Sequence, residues 1–444
     1  MRLSKHVLVS TVVGALGGLL FGFDTAVISG TTAALTEQFH LSSGALGFTV
    51  ASALWGTVVG ALSAGIPGQK YGRRDTLRAM AAFYVISAIG CALAWNLPSL
   101  IAFRFIGGLG IGGSSVLGPM YIAEIAPAHW RGRLVGFFQV NIVIGILLAY
   151  VSNYLLGSVQ LGNLEWRWEL GVSAFPAMLF FIALFFIPRS PRWLVLQGRK
   201  HEALHVLRLM AVDDPHGEVG DIVRSLQEEG KAESETLLTP KYRLPVFLAI
   251  SVGMFCQLTG INAVLYYLND IFSMAGATRV SGNLQAIAVG ATNLVATLIA
   301  MSVIDRLGRK KLLLVGTLGL IACLFAIGYM FQTHQHLRLL VWFLMLYIAF
   351  FAISHGAVVW VYISEVFPTR LRSKGQSLGS SSHWVTNAII SLVFPLLAKA
   401  SGAVPFFIFC GMMVIDLVLV WRFYPETARI SLEEMQHAIS HDSV

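Results

Sequence analysis

A group of polar and aromatic residues interrupts a long apolar run near the middle of the chain. It reads Gln-Leu-Thr-Gly-Ile-Asn-Ala-Val-Leu-Tyr-Tyr from Gln257 to Tyr267, and the surrounding run is long enough to cross a bilayer. Amides and phenols cost free energy in hydrocarbon unless they face protein, water or a polar ligand. The pattern therefore predicts either a polar binding site or polar contacts that hold helices together.

Gly260 is expected to loosen the helix between Gln257 and Asn262. Asn262 and Tyr266 then lie one turn apart on the same helix face. An amide offers a donor and an acceptor to a ring hydroxyl, while an aromatic ring covers the apolar C–H face of a sugar. This combination of side chains suits a sugar ligand.

The composition places the chain in a membrane. Of its 444 residues, 56% are hydrophobic and only 12% are charged, which is too apolar for an ordinary soluble protein. The formal charge of +8 does not indicate a nucleic-acid partner, because the basic residues are scattered among short loops between apolar runs. We expect a lipid bilayer around this chain and no nucleic acid.

Nothing in the sequence calls for a cofactor or for enzymatic chemistry. A P-loop is absent, and no Ser/His/Asp or metal constellation suggests catalysis. The first apolar run, which continues to about Ala34, is too long for a cleavable signal peptide. The cysteines lie in apolar runs without metal-ligand spacing, which favours neither a zinc site nor a disulfide framework; they are Cys91, Cys256, Cys323 and Cys410.

The elements that position these residues are predicted to be membrane helices. Twelve apolar runs have about the length that crosses a bilayer, roughly twenty residues, and a charged, helical stretch from Arg199 to Glu229 separates the first six from the last six. We expect an all-α membrane protein of two six-helix bundles, 1–187 and 244–424, with a cytoplasmic helical linker at 188–243 and a cytoplasmic tail at 425–444. The spans are 7–34, 44–67, 76–95, 99–124, 131–154, 168–187, 244–273, 281–304, 312–331, 338–364, 375–397 and 403–423.

Basic residues occupy alternate loops, and the opposite loops carry few, such as Arg167 and Arg279. By the positive-inside rule, the basic loops, the linker and both termini are predicted to be cytoplasmic. The residues concerned are Arg73, Arg74, Arg131, Arg133, Arg306, Arg309, Lys310, Arg370 and Arg372.

An internal repeat relates the two halves. Tyr121-Ile-Ala-Glu-Ile-Ala-Pro127 is echoed by Tyr362-Ile-Ser-Glu-Val-Phe-Pro368, and Tyr71-Gly-Arg-Arg74 by Leu307-Gly-Arg-Lys310. Two homologous bundles related in this way imply a site at their interface near the membrane midplane, opened alternately to each side.

In both halves a glutamate ends one span and an arginine opens the next, seven residues later. Glu124 with Arg131 and Glu365 with Arg372 are therefore predicted to form ion pairs at the cytoplasmic rim that hold the inner gate when the carrier faces outward. The alternative is that these charges only set the membrane orientation.

In this order, the motifs resemble the sugar porter family of the major facilitator superfamily over nearly the whole chain, most of all its bacterial proton-coupled hexose or pentose symporters. The motifs are Gly17-Gly-Leu-Leu-Phe-Gly-Phe-Asp-Thr-Ala-Val-Ile-Ser-Gly30, Gly72-Arg-Arg74, the Glu124/Arg131 block, Pro188-Arg-Ser-Pro-Arg-Trp-Leu194, Gln257 to Tyr267, Asp305-Arg-Leu-Gly-Arg-Lys310, the Glu365/Arg372 block and Pro425-Glu-Thr427.

The resemblance implies a sugar site formed by residues of both halves. Several of them are polar or aromatic at mid-span, where a Trp does not serve as an interface anchor, although such a Trp can also serve packing alone. The implied residues are Phe21, Gln139, Ile142, Gln257, Asn262, Tyr266, Asn293, Gly356, Trp360 and Trp384.

The chain departs from the family pattern at five places. Cys256 stands where relatives have the first of two glutamines, and His383 stands where they have an amide, so that His383 either contacts the sugar or only packs beside Trp384. Ala357 replaces a common proline after His355-Gly356. Gln69 replaces an acidic residue and Arg189 a glutamate, which is expected to weaken the cytoplasmic charge network.

Asp24 lies mid-span, where a carboxylate is tolerated only if it is paired, wetted or protonated. Arg104 is its predicted partner, and the pair is either a static ion pair or a proton-coupling site. The resemblance favours coupling, because proton-coupled sugar porters carry an Asp and a facing Arg at these positions. Some symporters have a further acidic residue in the sixth span, where this chain has Ser173.

These expectations define a secondary active transporter of the inner or plasma membrane that carries a monosaccharide by alternating access together with an inward proton. A facilitative uniporter with the same fold is one alternative. A membrane sugar sensor is another, although a long cytoplasmic signalling tail would be expected for it.

Overall fold

The structure is a computed structural model that describes residues 4–127, 129–159, 161–232, 237, 239–367 and 371–427. Within these ranges the side chains of residues 228–232, 241, 305, 372 and 373 are not described. The predicted tail beyond residue 427, the basic loop residue Arg370 and the side chain of Arg372 therefore lie outside the description.

The described residues form α-helices joined by short loops, as the apolar runs predict. The α-helices are α1 (Lys5–Phe39), α2 (Ser43–Ser63), α3 (Gly65–Lys70), α4 (Arg73–Ala92), α5 (Leu97–Ile125), α6 (Arg131–Val159), α7 (Glu165–Gly171), α8 (Ala174–Ala183), α9 (Pro191–Leu196), α10 (Lys200–Leu209), α11 (Pro215–Ala232), α12 (Arg243–Leu258), α13 (Ile261–Tyr266), α14 (Leu268–Met274), α15 (Arg279–Leu307), α16 (Arg309–Thr333), α17 (Leu340–Ile353), α18 (His355–Glu365), α19 (Arg372–Ala400) and α20 (Val404–Phe423).

Eleven helical stretches in the described part of the chain are long and apolar enough to cross a membrane. The predicted sixth span, 168–187, is not one of them, because it is divided into the short helices α7 and α8. Pro176 in the first turn of α8 has no N–H, and its ring would clash with the carbonyl of Val172 in a continuous helix. Ser173 at the break instead hydrogen-bonds the Leu170 carbonyl through its hydroxyl at 2.6 Å.

The linker is helical, but it does not form the single stretch predicted from Arg199 to Glu229. It contains α10 and α11, which are separated by a turn in which Ala211 has a positive φ of 58°. Asp214 then caps α11 by accepting a hydrogen bond from the Gly217 N–H at 2.9 Å. At the start of the linker, hydrogen bonds from Arg199 lower the pKa of the exposed Glu202 carboxyl.

The chain contains two compact units, each with its own core. The first unit buries Leu77 and Tyr121 together with Trp193 and Leu207 of the linker helices, and the Trp193 indole donates a hydrogen bond to the Gln69 carbonyl at 2.8 Å. The second unit buries apolar residues of α12, α16, α18 and α20. The first unit comprises Met1–Asp24, Trp55–Ile146 and Arg167–Ser234, and the second comprises Thr25–Leu54, Leu147–Trp166 and Glu235–Val444. The predicted halves 1–187 and 244–424 follow the sequence repeat and remain a prediction.

Candidate substrate and coupling sites

A helix break at Gly260 positions the polar cluster that the sequence singles out. Helix α12 ends at Leu258, α13 begins at Ile261, and Gly260 between them has φ +87°. A Cβ atom at Gly260 would lie 2.3 Å from a ring carbon of Phe409. Both the dihedral angle and the space therefore require glycine. The predicted loosening of the helix between Gln257 and Asn262 is confirmed.

Side chains satisfy the backbone groups that the break releases. The Thr259 hydroxyl donates to the Cys256 carbonyl at 2.8 Å and accepts from the Ile261 N–H at 3.2 Å. The Tyr347 hydroxyl donates to the Thr259 carbonyl at 2.9 Å. These bonds hold the break in one geometry, which fixes the directions of the side chains on either side of it.

Three side chains join at the break in a hydrogen-bonded chain. The Gln257 Oε1 atom accepts from Asn262 Nδ2 at 3.1 Å, and Gln257 Nε2 lies 2.7 Å from His383 Nε2. Because an amide nitrogen only donates, His383 Nε2 is the acceptor and the ring carries its hydrogen on Nδ1. His383 is 6% exposed, and its Nδ1 is buried. Within this three-residue network the Nδ1 hydrogen is not used.

Aromatic rings stand against this network. The Trp360 ring is tilted against the His383 ring with centroids 4.8 Å apart, and the Trp384 ring meets it edge-on at 5.2 Å. Gly356 lies one helical turn before Trp360 on α18, and it is half-buried. The structure thus brings two amides, an imidazole and two indoles together, the polar and apolar surfaces that a sugar would need.

Tyr266 belongs to a neighbouring pair that the sequence analysis left incomplete. Its hydroxyl accepts a hydrogen bond from Asn387 Nδ2 at 3.2 Å, and Asn387 Oδ1 accepts from the Ser391 hydroxyl at 3.2 Å. Asn387 lies four residues after His383, on the same face of α19, and this spacing is the sequence signal that identifies it.

Asn293 is buried on α15, but its described hydrogen bond, from Thr297 at 3.5 Å, does not connect it to the His383 network. In the first unit, Gln139 and Ile142 are half-buried, one turn apart on α6, and Phe21 is half-buried on α1. Phe21 and Ile142 pack against the core of that unit. The sugar-binding roles of these four residues remain predictions.

Asp24 and Arg104 lie together inside the first unit. An Arg104 Nη2 atom is 3.7 Å from Asp24 Oδ2, which is an ion-pair distance but longer than a hydrogen bond. The Arg104 side chain is 3% exposed and its Nε is buried without a hydrogen-bond partner among the described residues, whereas Asp24 is 26% exposed. The structure thus brings the predicted pair together, and its role in proton coupling remains a prediction.

The sequence analysis did not identify one buried carboxylate, which lies in the predicted sixth span. Glu169 on α7 is completely buried, four residues before Ser173. In the sequence Glu169 follows Glu165 and Arg167 closely, as in a charged loop at the start of a span, and no local signal marks it as buried.

The predicted gate charges take partners other than those expected. Glu124 pairs with Arg73 at 2.9 Å and not with Arg131, which is exposed and for which no partner is described. Glu365 likewise pairs with Arg309 at 2.9 Å. The expected pairing of Glu124 with Arg131 was wrong for this structure, because Arg73, the arginine of the Gly-Arg motif, lies against the Glu124 carboxylate.

The two charge clusters have the same construction. Gly72 and Gly308 precede the paired arginines with nearly equal φ and ψ values, 93° and 154° against 88° and 157°. The hydroxyls of Ser190 and Thr427 each donate to the paired glutamate, Glu124 and Glu365 respectively. The Tyr121 and Tyr362 hydroxyls donate to the carbonyls of Pro188 and Pro425 at 2.8 and 3.1 Å. The sequence repeat therefore extends to Pro188-Arg-Ser190 and Pro425-Glu-Thr427, which sequence reasoning had not aligned.

Arg189 joins a neighbouring group of ion pairs around Asp75. Its guanidinium lies 3.0 Å from Asp75 Oδ2, and Asp75 also pairs with Arg74 and Arg78. Asp75 thus pairs with three arginines. Arg189, which stands where the family has a glutamate, therefore has an ion-pair partner.

Comparison with known proteins identifies the family to which this chain belongs. The sequence pattern of the family described as "Sugar (and other) transporter" matches residues 10–439. The chain belongs to that family, as its motifs predict. It is a multi-pass membrane transporter and not an enzyme.

Individual relatives are similar over their full length. The D-xylose-proton symporter of Escherichia coli (strain K12) is 36% identical over 470 residues, which cover 98% of this chain and 96% of the relative. The Glucose transport protein of Synechocystis sp. is 34% identical over 454 residues, 97% of each chain. Among solved structures, an inward-open conformation of the xylose transporter XylE from E. coli matches with a TM-score of 0.87 at 34% identity, covering 97% of this chain and 99% of that one. The predicted all-helical major facilitator fold is confirmed.

Proposed function

We propose that this chain is a proton:monosaccharide symporter that works by alternating access in the inner or plasma membrane. The observation that carries the sugar part is the Gln257–Asn262–His383 network with Trp360 and Trp384 against it. Its amides and imidazole would pair with ring hydroxyls, and its indoles would cover the apolar C–H face. The relatives named for xylose and glucose transport support the same substrate class.

The proposal for coupling rests on Asp24 and Arg104. In the proposed cycle Asp24 takes a proton from outside, which neutralises the carboxylate and releases Arg104. The sugar-loaded carrier then changes its access from outside to inside, and loss of the proton restores the ion pair. Protonation removes the charge that faces Arg104, so the protonated and unprotonated carrier would favour different states.

The remaining parts of the proposal rest on sequence. Phe21, Gln139, Ile142 and Asn293 are proposed to contribute to sugar binding on the family resemblance. The distribution of Lys and Arg favours cytoplasmic termini. The charge clusters around Glu124 and Glu365 are proposed to stabilise the inner side in one state of the cycle.

Counterflow of labelled sugars into proteoliposomes, with and without an imposed pH gradient, tests substrate and coupling together. A symporter accumulates one or more monosaccharides only when the gradient is inward. Exchange without gradient-driven accumulation would instead identify a facilitative uniporter. Saturable sugar binding without any exchange would identify a sensor and would contradict the proposal.

A further inference from the structure

A second helix break lies within the tenth predicted span, at Ser354. Helix α17 ends at Ile353, and α18 begins at His355, and Ser354 between them has φ −106° and ψ −97°. The Ser354 N–H divides its hydrogen bond between the Phe350 and Phe351 carbonyls, both at 3.2 Å, and its hydroxyl donates to the Phe350 carbonyl at 2.6 Å. The break is completely buried.

A histidine and an aspartate meet directly at this break. His355 Nε2 lies 3.0 Å from Asp416 Oδ2, and each residue is 1% exposed. Asp416 lies on α20, which is apolar and of span length. The Thr317 hydroxyl of α16 donates to the same Oδ2 atom at 3.2 Å. Three helices of the second unit thus bring a titratable pair into their shared interior.

Among the described residues, the groups around the pair supply no positive charge of their own. At the break itself, the Ser354 hydroxyl lies 3.3 Å from His355 Nδ1, and from α16 the neighbour is Thr317. Cys256 of α12 and Tyr424 beyond α20 are within electrostatic reach of Asp416. Among the described residues, His355 is the one group in an ion pair with Asp416.

The protonation state of this pair sets the net charge at the break. If His355 is neutral, the pair carries the full negative charge of Asp416, which is costly inside a membrane protein. One added proton converts the pair to imidazolium and carboxylate, whose charges cancel across 3.0 Å. The Thr317 hydrogen bond favours the carboxylate form.

We propose that His355 and Asp416 form a second proton-binding site, separate from Asp24, located at the break between α17 and α18. The bound proton neutralises the interior of the three helices and stabilises the break. Since α18 also carries Trp360, proton binding here acts on a helix of the sugar network. The proton site itself does not depend on the proposed sugar transport.

Thermal unfolding as a function of pH tests the site. The full chain in detergent is compared with Asp416→Asn from about pH 5 to about pH 9, the range in which histidine pairs titrate. The proton stabilises the folded pair, so the advantage of the parent over Asp416→Asn should be largest at acid pH and should shrink as the pH rises. A difference that is constant with pH would mean a merely structural ion pair and would overturn the proposal.

Thr317→Val is the matched control for this measurement. It removes one hydrogen bond to Asp416 and leaves every titratable group in place. Thr317→Val should keep the advantage over Asp416→Asn at acid pH, and the loss of that advantage should move to higher pH. Asp24→Asn leaves His355 and Asp416 in place, so it should show the same pH-dependent stability advantage over Asp416→Asn as the parent does. This result would separate the His355–Asp416 site from the proposed coupling site.

Histidine ¹⁵N resonances in lipid vesicles provide a readout that does not need the Asp416 variant to fold. One of the twelve histidines should titrate with a midpoint that moves to higher pH in Thr317→Val. Without the Thr317 hydrogen bond, the Asp416 carboxylate interacts more strongly with the protonated imidazole. That resonance should be absent from His355→Gln. If no histidine midpoint responds to Thr317→Val, the proposal is wrong.

Discussion

The side-chain amide of Gln257 donates to Nε2 of His383 across 2.7 Å, so that the buried Nδ1 hydrogen of His383 takes no part in the Gln257–Asn262 network. A sugar hydroxyl is a suitable acceptor for that hydrogen. His383→Gln would replace the ring with a flexible amide that also donates and accepts but places these atoms differently, and we expect the preference among sugar epimers to change while transport survives. Competition of unlabelled epimers with a labelled sugar measures this preference. An unchanged ranking would mean that His383 only packs between the indoles.

Gln257→Ala and Asn262→Ala should each weaken sugar binding by about 1–3 kcal/mol, the cost of leaving a polar partner unpaired. Equilibrium binding to the purified protein provides the measurement. Gln285→Ala is the matched control, since this amide of α15 bonds Ser281 at 3.0 Å and has no described bond to the network. If both variants bind like the parent, the sugar site lies elsewhere.

Gly260→Ala should destabilise the protein and reduce sugar binding. The new Cβ would have to accept φ +87° and would lie 2.3 Å from the Phe409 ring, and backbone strain of this kind costs about 1–3 kcal/mol before any clash is counted. Gly411→Ala is the control, because nothing lies within 4 Å of its added Cβ in α20. Melting temperatures of the two variants should differ clearly, and equal values would contradict the role given to the break.

Glu124→Gln should destabilise the folded chain, because it leaves the buried Arg73 guanidinium without its carboxylate. Breaking a buried ion pair on one side costs about 3–5 kcal/mol. Arg131→Gln removes an exposed charge for which no partner is described and should leave the melting temperature nearly unchanged. If Arg131→Gln lowers the melting temperature more than Glu124→Gln does, the result would instead support the Glu124–Arg131 pair that the sequence suggested.

The sequence was sufficient for features that depend on local physical chemistry. Apolar run length located the spans, and a glycine between two amides located the break at Gly260. The repeat predicted two equivalent charge clusters, and both are present. The backbone angles at Gly72 and Gly308 agree within a few degrees, because the same dipeptide Gly-Arg forms the same turn in each half.

Contacts between residues distant in sequence could not be predicted in the same way. The Glu124 partner was assigned to the nearest conspicuous arginine along the chain, but Arg73, fifty-one positions away, holds it. His355 and Asp416 are sixty-one positions apart, and nothing local marks them as a pair. The sixth span was counted as one helix because its composition is predominantly apolar, whereas Pro176 divides it. Side-chain partners follow from helix packing, which a single sequence does not specify.

Asp24→Asn tests the proposed coupling. The variant removes the charge that pairs with Arg104 at 3.7 Å and imitates a permanently protonated carboxylate. We expect it to bind sugar and exchange it across the membrane, because the His383 network is untouched. It should fail to accumulate sugar when an inward proton gradient is imposed, because no proton enters or leaves at this position. Glu37→Gln, which removes an exposed carboxylate from the same helix α1, should accumulate sugar like the parent. If Asp24→Asn still concentrates sugar under a proton gradient, then Asp24 is not the coupling residue, and another buried carboxylate such as Glu169 must carry the proton.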